Sequence, residues 1–226
     1  MRKALLLNLS IILASTAFTF TGKADRLLDC PALNCSYLPL IGNPPPVFVF
    51  EIFQKATRAG TYRFIGDVIA TKPVYDVIVE VRFLDKNGNP QKASRQVILK
   101  ASLPGQLNPF DIYTNVEAYD IIPVEAVAIE WKYENQQEYR NATIVSVSYE
   151  EDTVGTFVTA KVRNDGAIPL LDVKGVIWGL YQDYSIEAVN IADRLNPGEG
   201  ATFSRYLWGT PYSPNIHVSA QGILQP

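Results

Sequence analysis

The stretch Pro73-Val-Tyr-Asp76-Val-Ile-Val-Glu-Val81-Arg-Phe83-Leu-Asp85 decides the fold, because the chain repeats its pattern. Val77, Val79, Val81 and Phe83 alternate with Ile78, Glu80, Arg82 and Leu84, the period of two that a half-buried strand requires. Pro73-x-x-Asp76-Val77 returns as Pro169-x-x-Asp172-Val173, 96 residues later. Gly60-Thr-Tyr62 returns as Gly155-Thr-Phe157 at an offset of 95. Pro104-Gly-Gln106 with Phe110 and Tyr113 returns as Pro197-Gly-Glu199 with Phe203 and Tyr206, all at 93. These anchors keep one order and a nearly constant spacing, so the body is an internal repeat. A period near 95 residues is too long for a solenoid unit and has the size of one small β-sandwich.

The motif residues have physical jobs. Pro73 and Pro169 lack an amide donor, which places them before a strand and not inside it. Pro104-Gly105 and Pro197-Gly198 match type II turns, with Gly supplying the positive φ. Phe110 and Phe203 follow six residues after each Pro, where the next strand drops an anchor into the core. Asp85-Lys-Asn87-Gly88-Asn89 reads as a hairpin with Asn-Gly in a type I′ turn. Val145, Val147 and Tyr149 alternate with Ile144, Ser146 and Ser148, and Ile216, Val218 and Ala220 with His217, Ser219 and Gln221. From Val47 on no window has a helical period. The fold class read from this is all-β, two tandem immunoglobulin-like β-sandwich domains at 47–141 and 142–226. The boundary falls in the polar run Glu134–Asn141, and each half carries its own strand set.

Repeat one reads Asp76-Val-Ile-Val-Glu-Val81-Arg-Phe83-Leu84-Asp85, and repeat two carries Trp178-Gly-Leu180-Tyr181-Gln-Asp183. These resemble the aromatic-x-Leu-Tyr-Asp signature of the FxLYD family, immunoglobulin-like β-sandwich domains of secreted bacterial and archaeal proteins. The resemblance extends to Pro-x-x-Asp-Val before the signature and Pro-Gly-Glu/Gln after it, over roughly residues 55–133 and 150–222. Repeat one departs from it at Val81 and Leu84, and repeat two by the extra Gln182. The resemblance implies a fold and carries no catalytic residue, and sandwiches host many roles.

Ahead of the body, Arg2 and Lys3 precede 19 uncharged residues, Ala4 to Gly22. A basic start, an apolar run and small residues make a secretory signal, residues 1–24, cut after Ala24 or after Ala17. The run is also just long enough to cross a bilayer as an uncleaved anchor. Loss of Arg2, Lys3 and Lys23 would take the net charge from −3 to −6. Both readings put the body outside the cytoplasm. Residues 25–46 then form a tail whose Cys30 and Cys35 enclose four residues. In an oxidising compartment such a pair is most simply a local disulfide. Pro44-Pro-Pro46 ends the tail as a semi-rigid spacer.

Composition argues against catalysis. The chain has one His and two Cys in 226 residues, and Lys+Arg 20 against Asp+Glu 23 implies no polyanion partner such as nucleic acid. No Gly-x-Ser-x-Gly occurs, and His217 lies on a strand beside Ser219 and Gln221, where a solvent-exposed side chain is expected. Glu150, Glu151 and Asp152 fit a solvated turn, and Glu117, Asp120 and Glu125 a loop-like stretch. Asp85-x-Asn87-x-Asn89 opens like a calcium loop, but Pro90 and Gln96 stand where that loop needs Gly and Glu. No catalytic residue, metal ligand or cofactor is therefore assigned.

The aromatics of repeat two, Trp178, Tyr181, Tyr184, Tyr206, Trp208 and Tyr212, admit a core reading and a platform reading. Tyr206 and Trp208 share strand parity opposite to Phe203 and Leu207, which turns both outward and makes Tyr206, Trp208 and Tyr212 the candidate ligand platform. The expectation is an exported, non-enzymatic β-sandwich protein, structural or protein-binding, at the cell surface or secreted. Its partner is another envelope or extracellular protein. The alternative is a carbohydrate-binding module using these aromatics on a glycan, and the membrane enters only through an uncleaved N-terminal segment.

Overall fold

The computed structural model describes residues 45–225, apart from 58, 119–123, 180–185, 187, 209–215 and the side chain of 51. The signal or anchor, the Cys30–Cys35 pair, Asp120, Tyr181, Tyr184 and Tyr212 lie outside the described residues. Among those described the chain is all-β. The N-terminal half holds β1 (Val47–Ala56), β2 (Thr61–Ala70), β3 (Val74–Leu84), β4 (Pro90–Gln96), β5 (Ala101–Ser102), β6 (Leu107–Glu117) and β7 (Val124–Lys132). The C-terminal half holds β8 (Tyr139–Asn141), β9 (Thr143–Glu151), β10 (Gly155–Arg163), β11 (Leu170–Gly179), β12 (Ala188–Leu195), β13 (Gly200–Trp208) and β14 (Ile216–Leu224).

Every strand pair is antiparallel, and each half brings two sheets together over one core. In the first, β1-β2-β6 faces a sheet in which β4, β5 and β7 pair with β3. In the second, β13-β10-β9 faces β12-β11-β14-β8. Val77, Val79, Val81 and Phe83 of β3 are buried with Tyr62, Phe64 and Phe110, as the alternation requires. Val158, Ala160, Val162, Ile177, Phe203 and Leu207 form the matching core of the second half. Phe110 and Phe203 are thus the anchors that their spacing implied.

The repeat extends to backbone geometry. Asp76 and Asp172 both adopt left-handed conformations, with φ of 53° and 46°, and the strand register shifts beside each. The Pro-x-x-Asp-Val motif therefore builds the same bulge twice, using the residue type that tolerates this region best after Gly and Asn. Gly105 and Gly198 have φ of 75° and 78°, and Gln106 and Glu199 donate their amides back to Leu103 and Asn196, closing the two Pro-Gly turns.

Several expectations shift. The Asn87-Gly88 hairpin is not type I′, because only Gly88 has positive φ. The Gly88 amide donates to the Asp85 carbonyl and the Asp85 amide to Asn89, which makes a type I turn closed by a glycine bulge. Asp85 Oδ1 also accepts the Asn87 and Asn89 amides at 2.8 and 2.9 Å, so its side chain caps the turn. Val145, expected inward, is the extra residue of a bulge opposite Lys161 and Val162 and stands exposed. The boundary at 141 moves: Tyr139–Asn141 pairs with β14 and so belongs to the second half.

The largest revision concerns β14. Ser219 and Gln221, assigned to a solvent-facing side, are buried. Ser219 Oγ donates to the Leu107 carbonyl at 2.7 Å, and Gln221 Nε2 to that of Ala101 at 3.3 Å. Gln106 Nε2 answers with a bond to the Ala220 carbonyl. Val176, Trp178 and Ile186 of the second half share an apolar cluster with Ile65 and Leu99 of the first. The polar alternation of β14 marks contact with the other half rather than with water.

Candidate functional site

The outer surface of the β13-β10-β9 sheet carries the most unusual side chains. On β13, Phe203 and Leu207 point into the core, which leaves Thr202, Ser204, Tyr206 and Trp208 on the other side. Trp208 is 55% exposed. The sequence parity of Tyr206 and Trp208 held because no bulge interrupts the β13–β10 pairing. Cross-strand register adds a third ring that sequence reading missed: Phe157 of β10, 41% exposed, lies directly opposite Tyr206. Phe157 was visible only as part of the Gly-Thr-aromatic repeat, and strand pairing is what brings it to the site.

The rings are fixed in place. Tyr206 and Trp208 pack edge to face, with centroids 4.9 Å apart and planes at 78°. The Tyr206 ring lies over Gly155, where a Cβ would collide with it and with the Leu207 carbonyl. Its hydroxyl donates to Asp152, within 2.8–2.9 Å of both carboxylate oxygens. Asp152 also accepts the amides of Val154 and Gly155, at 2.7 and 2.8 Å, closing the β9–β10 turn. These amides and the phenol hold its carboxyl below the usual aspartate range. Partial desolvation, and then the adjacent carboxylate, raise the Tyr206 phenol. The site is an aromatic patch with Glu150, Glu151 and Asp152 at its turn end and the exposed Val154 at the tip.

Other candidates separate. Trp178, open to a core or a platform reading from the sequence, is fully buried at the junction of the halves. His217 is half-buried against it, ring centroids 5.5 Å apart, and not exposed as expected. Glu117 bonds Lys86 at 2.8 Å and Glu125 approaches Arg82 at 3.4 Å, on different strands. Among the described residues no group of three or more His, Cys, Asp or Glu could hold a metal. Compared with protein-family models and with curated proteins, the chain matches none.

Proposed function

We propose that the protein is an exported, non-enzymatic tandem β-sandwich of the FxLYD type that docks a protein partner on the outer face of β13-β10-β9. The observation that carries this reading is the outward cluster of Phe157, half-buried Tyr206 and Trp208, with Glu150 opposite Phe157 and Asp152 bonded to the Tyr206 hydroxyl as its acidic rim. Aromatic anchors inside a polar rim are how protein interfaces concentrate binding energy. The acidic rim suits a segment offering apolar side chains followed by Lys or Arg. Tyr206 and Trp208 stand at 78° to one another, so together they offer no flat two-ring platform for a glycan. The N-terminal run supports export to the envelope or beyond.

The test compares proteins retained from the source organism's envelope by the wild-type chain and by Phe157→Ser/Trp208→Ser. A partner lost with the double variant but retained by Trp131→Ala supports the reading. Identical retention by all three contradicts it.

A further inference from the structure

We propose that a groove at the junction of the two halves binds a neutral oligosaccharide, at a site separate from the aromatic face. The groove comprises two adjoining cavities, of about 370 and 700 Å³, with Gln96 and Lys100 in the lining of both. Each is within the range of roughly 300–1,000 Å³ typical of ligand clefts. Half-buried Trp131 lines the larger end and supplies the apolar surface against which a sugar ring can stack.

Gln221 lines the smaller end and is 2% exposed. Its carboxamide oxygen is buried without a hydrogen-bond donor, and its amide is held only by the 3.3 Å bond to Ala101. A buried acceptor without a donor is costly, and a ligand hydroxyl reached by a small rotation of this side chain would satisfy it.

Charge selects the ligand class. Lys100 and Lys132 (2.9 Å) pair with Asp76, and Lys174 (3.1 Å) pairs with Asp172. With Glu130 the lining balances three ammonium groups against three carboxylates, leaving no surplus for a phosphate or an acidic glycan. Adjacent ammonium and carboxylate groups instead match a sugar hydroxyl, which accepts from one and donates to the other.

The test is NMR titration of the full chain with cellotetraose, maltotetraose, triacetylchitotriose and trigalacturonate, each at about 10 mM, well into the range of millimolar affinities. At least one neutral oligosaccharide should shift the Trp131 indole and Gln221 amide signals while the Trp208 indole stays in place. Trp131→Ala and the surface variant Lys174→Met, each checked for folding by circular dichroism, should weaken that binding at least about tenfold, the loss expected for one stacked ring or charged hydrogen bond. No shift with any neutral oligosaccharide, tighter binding of trigalacturonate, or binding indifferent to both substitutions would overturn the proposal.

Discussion

The sheet β1-β2-β6 of the first half and the sheet β13-β10-β9 of the second are built from the same repeat, yet the centres of their outer faces differ: one is covered and the other is not. On β2 both faces are buried: Tyr62, Phe64 and Val68 inside, Arg63, Ile65 and Asp67 outside. Ile65 is covered by Val176, Trp178 and Ile186 from the second half. Arg63 makes a two-pronged pair with Asp111, at 2.8 and 2.9 Å, and lies under the Tyr113 ring. By register Arg63, opposite Tyr113, corresponds to Phe157, opposite Tyr206, so a buried ion pair stands in one copy where an exposed ring stands in the other. The centre of the first face is covered by the second half, while Phe53 and Tyr113 at its margins stay exposed. The second face has no such cover among the described residues, and Phe157, Tyr206 and Trp208 point outward from it.

The comparison can be broken first at Trp178. If it is the covering residue of the first face, Trp178→Ala should cost about 3–5 kcal/mol, the loss expected for a fully buried Trp, read by denaturant unfolding. A loss under about 1 kcal/mol would mean that the junction closes nothing. Arg63→Ala should cost a similar amount, about 3–5 kcal/mol, because Asp111 is left buried and unpaired. Much of that should return in Arg63→Met/Asp111→Leu, which removes both charges together. Should the single and double variants be equally unstable, the pair matters through packing and not through charge.

A smaller effect tests the sameness of the two copies. Gly105→Ala and Gly198→Ala each force a side chain into a positive φ and should each cost about 1–2 kcal/mol. Equal losses would sharpen the repeat, and a large inequality would show that one turn is better supported than the other. Acid probes the open face. Asp152 titrates below the usual aspartate value of 3.8, so its bonds add stability above that value and lose it as pH falls through the folded one. Below pH 3.8 the Tyr206 ring resonances should therefore shift, while those of Phe64 in the first core stay in place. Tyr206 signals unchanged down to unfolding would remove Asp152 as the tether.

Much of the fold could be read because its signals are local. Period-two alternation in β3, the Pro-Gly turns and the Phe110 and Phe203 anchors depend on neighbours a few residues away, and the structure keeps them. Errors gathered where distant chain decides. Ser219 and Gln221 look like a wet face until Leu107 and Ala101 arrive opposite them. Trp178 cannot be told from a surface aromatic until the junction covers it. The same limit hid Phe157, since no sequence spacing reports that β10 and β13 pair with Phe157 opposite Tyr206. The Asn-Gly turn was misread for a different reason: the Asp85 side chain caps a longer loop, and that choice outweighs the dipeptide preference.

The most direct measurement is the thermal melt of Trp208→Ala beside that of Trp178→Ala. An exposed ring contributes little to folding, so Trp208→Ala should stay within about 0.5 kcal/mol of wild type. For a chain of this size that is a shift of no more than about 2 °C, whereas Trp178→Ala should lose roughly 6–20 °C. If Trp208→Ala falls as far as Trp178→Ala, the second face is as closed as the first, and the docking surface does not exist.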